Sequence, residues 1–327
     1  MVNPAEGVVD FELPDRMRAP KRLSERYPAL YPIAVKVHQL RRYWQWHTGD
    51  DVWATKQPFP ELSYRVKTHK SLLLRQLGES EMWLQHNKVH NLKLAAALVD
   101  GVVVRPGETF SFNKVVGNAT RRRGFVDGMK LSNGQARAGV GGGLCQLANL
   151  LVWMFMHSPL TMVERSEHSF DPFPDNGRVL PWGVGCSIVY NYVDLVVRND
   201  TETSFLLKVS VGDKYLQGEI RSDRELEHSY SVYALNEEFL EHAGEHFRRN
   251  EIWRNVIDRR TGNKIKAELL KENCALVKYE PPSAPSSGNH SPSQYDDRRP
   301  GEHRQVDQRV SVVDDEVSRS ALGEVVS

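Results

Sequence analysis

Three things are scarce in this 327-residue chain, and each scarcity closes off a class of protein. Cysteine occurs only as Cys145, Cys186 and Cys274, an odd and widely spaced set. Such a set makes no disulfide framework, and reduced thiols in the cytoplasm fit it better. Long apolar runs are missing. The longest, Leu147 to Met156, is interrupted by Asn149 and is too short to span a bilayer, so no transmembrane segment is expected. A charge excess is missing as well, since 43 Lys and Arg face 42 Asp and Glu. Without a basic field or a nucleic-acid motif, a nucleic-acid partner is not expected. The first residues, Met1 to Gly7, hold no basic segment leading into an apolar core. A secretory signal is therefore not expected, and the cytoplasm is the expected compartment.

What is present is most concentrated in Gly139-Val140-Gly141-Gly142-Gly143-Leu144-Cys145-Gln146. Residues without Cβ tolerate positive φ and close approach by other groups. The apolar run that follows is long enough for a buried helix. Cys145 then stands where a glycine loop turns into a core helix, at the end where free N–H groups and the positive end of the macrodipole gather. A thiol there should ionise more readily than a free cysteine. Helix N–H groups around Gly142 and Gly143, with the Gln146 amide, would supply donors for an oxyanion. His168 returns after one helix and one strand and is the candidate base, with Glu164, Glu167 or Asp171 to orient it. The competing reading is structural: cysteine is a commonly buried residue, and glycine loops often serve only tight packing. Cys186 and Cys274 have no supporting context.

Along the rest of the chain, Pro32 suits the first turn of a helix in which Ile33, Val37, Leu40 and Trp44 recur at helical spacing. With Lys36, Arg41 and Arg42 it is a basic amphipathic helix, expected to dock on its own domain, with peripheral membrane contact as the functional alternative. His86 and His90 have the i, i+4 spacing of zinc ligands, but the motif's Glu is replaced by Asn87 and no third ligand follows. No metal or other cofactor is expected. Asn91 to Asp100 reads as a helix stopped by Gly101, and Thr109 to Phe112 as a half-buried strand. Arg121-Arg122-Arg123 could clamp an anion but reads first as a solvated turn. His157 suits the C-terminal end of the apolar helix. Strands are expected at 160–165, 187–190, 194–197, 204–211 and 216–220, and a hairpin turn at Thr261 to Lys264.

Helix and loop first, antiparallel strands after, give an α+β fold. It has a glycine loop feeding a buried helix packed on a mainly antiparallel sheet, with an N-terminal helical extension. The expected division is a loose leader at 1–20, the helical extension at 21–85, a core domain at 86–222, a packed extension at 223–279 and a disordered tail at 280–327.

Several blocks together carry a resemblance. They are Asn91-Leu92-Lys93-Leu94-Ala95-Ala96, Arg105-Pro106-Gly107-Glu108-Thr109-Phe110-Ser111-Phe112, Gly141-Gly142-Gly143-Leu144-Cys145-Gln146, Val163-Glu164-Arg165-Ser166-Glu167-His168 and Asp194-Leu195-Val196-Val197-Arg198-Asn199. From about residue 20 to about 222 the chain resembles the VanW family, in particular its short, signal-less members associated with glycopeptide resistance. Some larger members are L,D-transpeptidases that crosslink peptidoglycan through a cysteine. The resemblance implies Cys145 as nucleophile, His168 of the E-R-x-x-H block as general base, and Gly142, Gly143, Gln146 and Arg165 as substrate or oxyanion contacts. The implied partner is a peptidoglycan stem peptide or wall precursor. A non-catalytic accessory role, with Cys145 merely packing, is the alternative.

Overall fold

A computed structural model describes residues 31–58, 61–74, 82–132, 135–166, 170–171, 174 and 179–281. The expected leader and almost all of the expected tail lie outside the described residues.

The buried helix is the organising element. Helix α4 (Leu144–Met156) contains no charged residue, and every residue from Leu150 to Met156 is buried. A helix apolar all round is stable only inside a protein, because it has no polar face to give to water. Burying each of its Leu, Phe and Met side chains contributes roughly 1.5–3 kcal/mol. His157 caps its C-terminal end, buried, with Nδ1 2.8 Å from the Trp153 carbonyl oxygen.

Around α4 the chain wraps sheets and a second helix. The preceding elements are α1 (Tyr31–Thr48), β1 (Val52–Trp53), β2 (Thr55–Lys56), β3 (Tyr64–Leu72), α2 (Met82–Val99), β4 (Val102–Val104), β5 (Glu108–Ser111) and α3 (Phe112–Val116). Then come β6 (Asp127–Ser132), β7 (Gln135–Val140), α4 itself, β8 (Thr161–Arg165), β9 (Phe170–Asp171), β10 (Leu195–Arg198), β11 (Phe205–Val211) and β12 (Tyr215–Ser222). One sheet has the order β1-β5-β10-β8 and a second the order β2-β4-β11-β12-β3. All their pairings are antiparallel except β1 with β5. The core joins Leu92, Ala95 and Val99 of α2 to α4 and to the inner faces of β4, β10, β11 and β12. The α+β architecture expected from the chain order is the one observed. Among the described residues no helix is long and apolar enough to cross a membrane.

The C-terminal part holds β13 (His228–His242), β14 (Glu245–Asp258) and β15 (Lys264–Val277), three long antiparallel strands with β9 added on the edge of β15. Ala243 and Gly244, at φ 53° and 76°, make the tight turn between the first two, the left-handed pair that hairpins of matching twist require. The second turn falls where Thr261 and Gly262 place it, with Asp258 Oδ1 accepting from the Thr261 amide and hydroxyl.

Two local expectations change. Ser111 is not the middle of a strand running to Phe112: its hydroxyl accepts from the Lys114 amide and caps α3, so the strand stops there. The strand expected at 187–190 is absent. Asn191 at φ 53° folds the chain back, leaving only a Val189–Val193 bridge. The amides just before it are committed elsewhere, Cys186 N–H to Asn149 Oδ1 at 2.7 Å and Ser187 N–H to the Ser166 carbonyl at 2.7 Å. Those commitments build the candidate site.

Candidate functional site

Why the glycines precede Cys145 is a matter of space. A Cβ on Gly142 would fall 2.1 Å from the backbone of Gly128 in β6, and one on Gly143 would fall 2.0 Å from Lys88 Cγ of α2. Gly143 is also the N-cap of α4 at φ 96°, which favours glycine. Asn91, fully buried on α2, holds the loop by giving Nδ2 to the Val126 and Gly142 carbonyls at 3.0 Å each and accepting from the Val126 amide. The helix start is thus clamped between α2 and the β6–β7 ribbon.

Cys145 emerges in the first turn of α4. The residue is half-buried, yet its sulfur is hemmed in enough that desolvation leads and pushes the thiol above the ordinary range. Three influences act the other way: the Ile188 amide, the positive charge of Lys130, and the residue's own N–H. Burial outweighs these three. The expectation of an easily ionised thiol is reversed: at neutral pH the resting group is protonated. Cys186 lies within electrostatic reach of Cys145, is fully buried, and is pushed up as well, first by its own desolvation. It is a neighbour of the site, which its sequence context did not reveal.

The other expected site residues are largely occupied within the fold. Gln146 donates Nε2 to Ser71 Oγ and to the Leu72 carbonyl, both at 2.8 Å, tying α4 to β3. The Gly142 amide donates to the Gly139 carbonyl at 2.9 Å. Arg165 donates Nε to the Gly185 carbonyl at 3.1 Å and Nη2 to the Gly183 carbonyl. Burial lowers its guanidinium pKa to about 10, so it remains a cation. Its role here is to hold the 183–188 loop against the helix start. His168 and Glu167 lie outside the described residues. Asp171, offered as an orienting carboxylate, is buried against Arg248 of β14 and Tyr279, with Oδ2 at 3.2 and 2.8 Å. Glu164 accepts from the Asp194 amide at 3.0 Å and pairs with Arg42 of α1 at 2.6 Å.

Sequence reasoning missed Ile188 and Lys130. The first contributes only a backbone amide, which no side-chain pattern marks. The second sits on a β6–β7 hairpin whose alternation is interrupted by glycine. Elsewhere the sharper readings find partners of their own. His90 Nε2 lies 2.9 Å from the Gly124 carbonyl, Arg121 pairs with Asp127, and Arg123 donates to the Val116 and Asn118 carbonyls. The arginine run is a turn that braces itself. Among the described residues no group of three His, Cys, Asp or Glu could hold a metal ion.

Within electrostatic reach of Cys186, Asp194 supports the loop that carries Ile188. It accepts from Ser111 Oγ at 2.5 Å and from the Asn113 and Leu195 amides at 2.9 and 2.8 Å. Its pKa is nevertheless raised to about 6, since burial outweighs those three donors. Asn113 Nδ2 completes the brace on the Val189 and Val193 carbonyls.

This is the setting of the blocks read from the sequence, and comparison with known proteins identifies it. The Vancomycin B-type resistance protein VanW of Enterococcus faecalis is 31% identical to the chain over 264 residues, 81% of this chain and 96% of that protein. The chain belongs to the VanW family. A family profile described as VanW like protein matches residues 87–221, from α2 through β12. The Uncharacterized protein YoaR of Bacillus subtilis is 34% identical over 164 residues, 46% of this chain and 54% of that protein. No solved structure matches the chain significantly. The glycine loop, Cys145, Arg165 and Asp194 all fall inside the VanW profile, whereas α1 and the β13–β15 sheet fall outside it.

Proposed function

We propose that this VanW-family protein is a cysteine-dependent acyl transferase acting on peptidoglycan stem peptides or their precursors, in the physiology of vancomycin resistance that its Enterococcus faecalis relative is named for. The observation that carries the reading is that the backbone N–H groups of Cys145 and Ile188 and the charge of Lys130 all favour a Cys145 thiolate at the first turn of α4. Such donors stabilise a thiolate and then the oxyanion that its attack creates. In the reaction a base removes the thiol proton and the sulfur bonds to the peptide carbonyl carbon. The carbon–nitrogen bond then breaks, and the amine leaves carrying a proton. An acceptor amine or water attacks the thioester and regenerates the thiol. His168 is the proposed base, by its place in the E-R-x-x-H block. A thiol held protonated at rest requires such a base. We place the protein in the cytoplasm, where three free cysteines are at home and precursors rather than finished wall are the substrate.

A second reading has its own support. Gly142, Gln146 and Arg165 spend their donors inside the fold, and burial keeps the thiol neutral, as in a binding protein in which Cys145 packs. Incubation of wild type, Cys145→Ala and His168→Ala with muropeptides, followed by intact-protein and product mass spectrometry, separates the two. Acyl transfer gives a wild-type adduct of acyl mass or an altered product. Both are lost in Cys145→Ala and slowed about 100-fold or more in His168→Ala. A wild type that gives neither sinks the enzyme reading.

A further inference from the structure

Helix α1 is docked the opposite way from the one its apolar stripe suggests. Its inner face is Trp46, Gln39 and Arg42. Trp46 is buried beside Tyr190, Gln39 exchanges hydrogen bonds with the Tyr190 carbonyl and Asn191 Nδ2, and Arg42 pairs with Glu164. Lys114 covers the Trp46 ring at 5.3 Å from its centroid. The residues left in solvent are Ile33 at 60%, Val37 at 58%, Leu40 at 69%, Tyr43 at 56% and Trp44 at 68% exposure.

At about 100° per residue, Ile33, Val37, Leu40 and Trp44 fall within roughly 60° of arc, a straight apolar ridge. Lys36 borders it on one side and Arg41 on the other, both exposed. Beyond Arg41 lies an open-sided hollow of about 170 Å³ lined by His38, Arg41, Arg42, Gln45 and Tyr192. The helix contains no acidic residue.

We propose that α1 is a membrane-surface helix that lays the Ile33–Val37–Leu40–Trp44 ridge into the headgroup boundary of an anionic bilayer. Lys36, Arg41 and the His38-side hollow take the lipid phosphates. Apolar residues flanked on both sides by cations suit that boundary, where long basic side chains reach outward to headgroups and tryptophan rings settle at the interface. Charge complementarity selects this occupant over a second copy of the chain. Two such helices meeting ridge to ridge would bring Lys36 and Arg41 against like charges, with no carboxylate on either helix to offset them. Through the Arg42–Glu164 pair, the docked helix is continuous with β8 and with Asp194, so the membrane would lie on the side of the molecule that carries α1. The assignment does not depend on whether Cys145 is a nucleophile.

The test is flotation of the full-length protein with vesicles of pure phosphatidylcholine and of phosphatidylcholine containing phosphatidylglycerol, at low and high salt. Binding to the anionic vesicles alone, weakened by salt, is expected. Replacing Lys36 or Arg41 by Ala should weaken it about fivefold for each charge removed. Leu40→Ser with Trp44→Ser should weaken it at least about tenfold while circular dichroism stays unchanged, since these side chains touch water. Failure of the wild type to float with either vesicle would overturn the proposal. So would binding that the ridge and charge variants leave intact. A concentration-dependent dimer in sedimentation that Leu40→Glu abolishes, without vesicle binding, would make the ridge a self-association surface instead.

Discussion

Helices α1 and α4 are both rich in large apolar residues, and they end in opposite surroundings. Helix α4 buries Leu150 to Met156 from every side, while α1 leaves Ile33, Val37, Leu40 and Trp44 in water and buries Trp46. The difference lies in what each offers its neighbours. With no charged residue and an apolar surface all round from Leu150 to Met156, α4 can only be enclosed. With Arg42 and Gln39 on one side, α1 can dock by a pair with Glu164 and by exchanged hydrogen bonds, leaving its apolar ridge unspent. Apolar content therefore predicts that a residue seeks a partner, and topology decides whether the chain provides one.

Substitutions break this comparison at known points. The largest effect is expected at Phe155, which is buried with its ring tilted against that of Phe110, centroids 5.6 Å apart. Phe155→Ala should lower unfolding free energy by about 4 kcal/mol in urea titration. A value under about 1 kcal/mol would show that α4 is not the core. Next comes Gly142→Ala, whose methyl would meet the Gly128 backbone at 2.1 Å. It should lower stability by about 3 kcal/mol or prevent folding, and equal stability would mean that the loop and β6 are not in contact.

Asp194 gives an effect of roughly 3 kcal/mol that depends on pH. Its pKa rises from the ordinary 3.8 to about 6 in the fold, so between those values the native state binds more protons than the unfolded one. Its contribution is fully present below about pH 4, declines as pH rises to about 6, and changes no further above that. Subtracting the pH–stability curve of Asp194→Asn from that of wild type should expose this slope. A flat difference would place Asp194 in solvent. Smallest is Leu40→Ser on α1, expected within about 0.5 kcal/mol of wild type by thermal melting. A loss of several kcal/mol would mean that the ridge is covered.

At Cys145 the direction of the shift sets a further expectation. Because burial holds the thiol up, the alkylation rate of native protein should keep rising with pH beyond the range of a free cysteine. Saturation near pH 6 would show that Lys130 and the two amides win instead.

Part of the fold was legible in one dimension because it rests on local pattern. The apolar run gave α4, Gly101 the end of α2, Thr261-Gly262 a hairpin turn, and the order of helices and strands the α+β class. Pattern alone misread 187–190 as a strand. Whether the amides of 186–188 join a ladder or serve Asn149, Ser166 and the surroundings of Cys145 depends on residues tens of positions away.

The same division holds for the cysteine. By itself the sequence determined that a thiol follows a glycine loop at a helix start and that its neighbours match the VanW family, because both are properties of contiguous residues. Only the tertiary structure decided that the thiol is desolvated, that Gln146 and Arg165 are structural ties, and that the ridge of α1 faces out. Desolvation and hydrogen-bond occupancy belong to whatever the rest of the chain packs around a group, and that is fixed only when the distant elements meet.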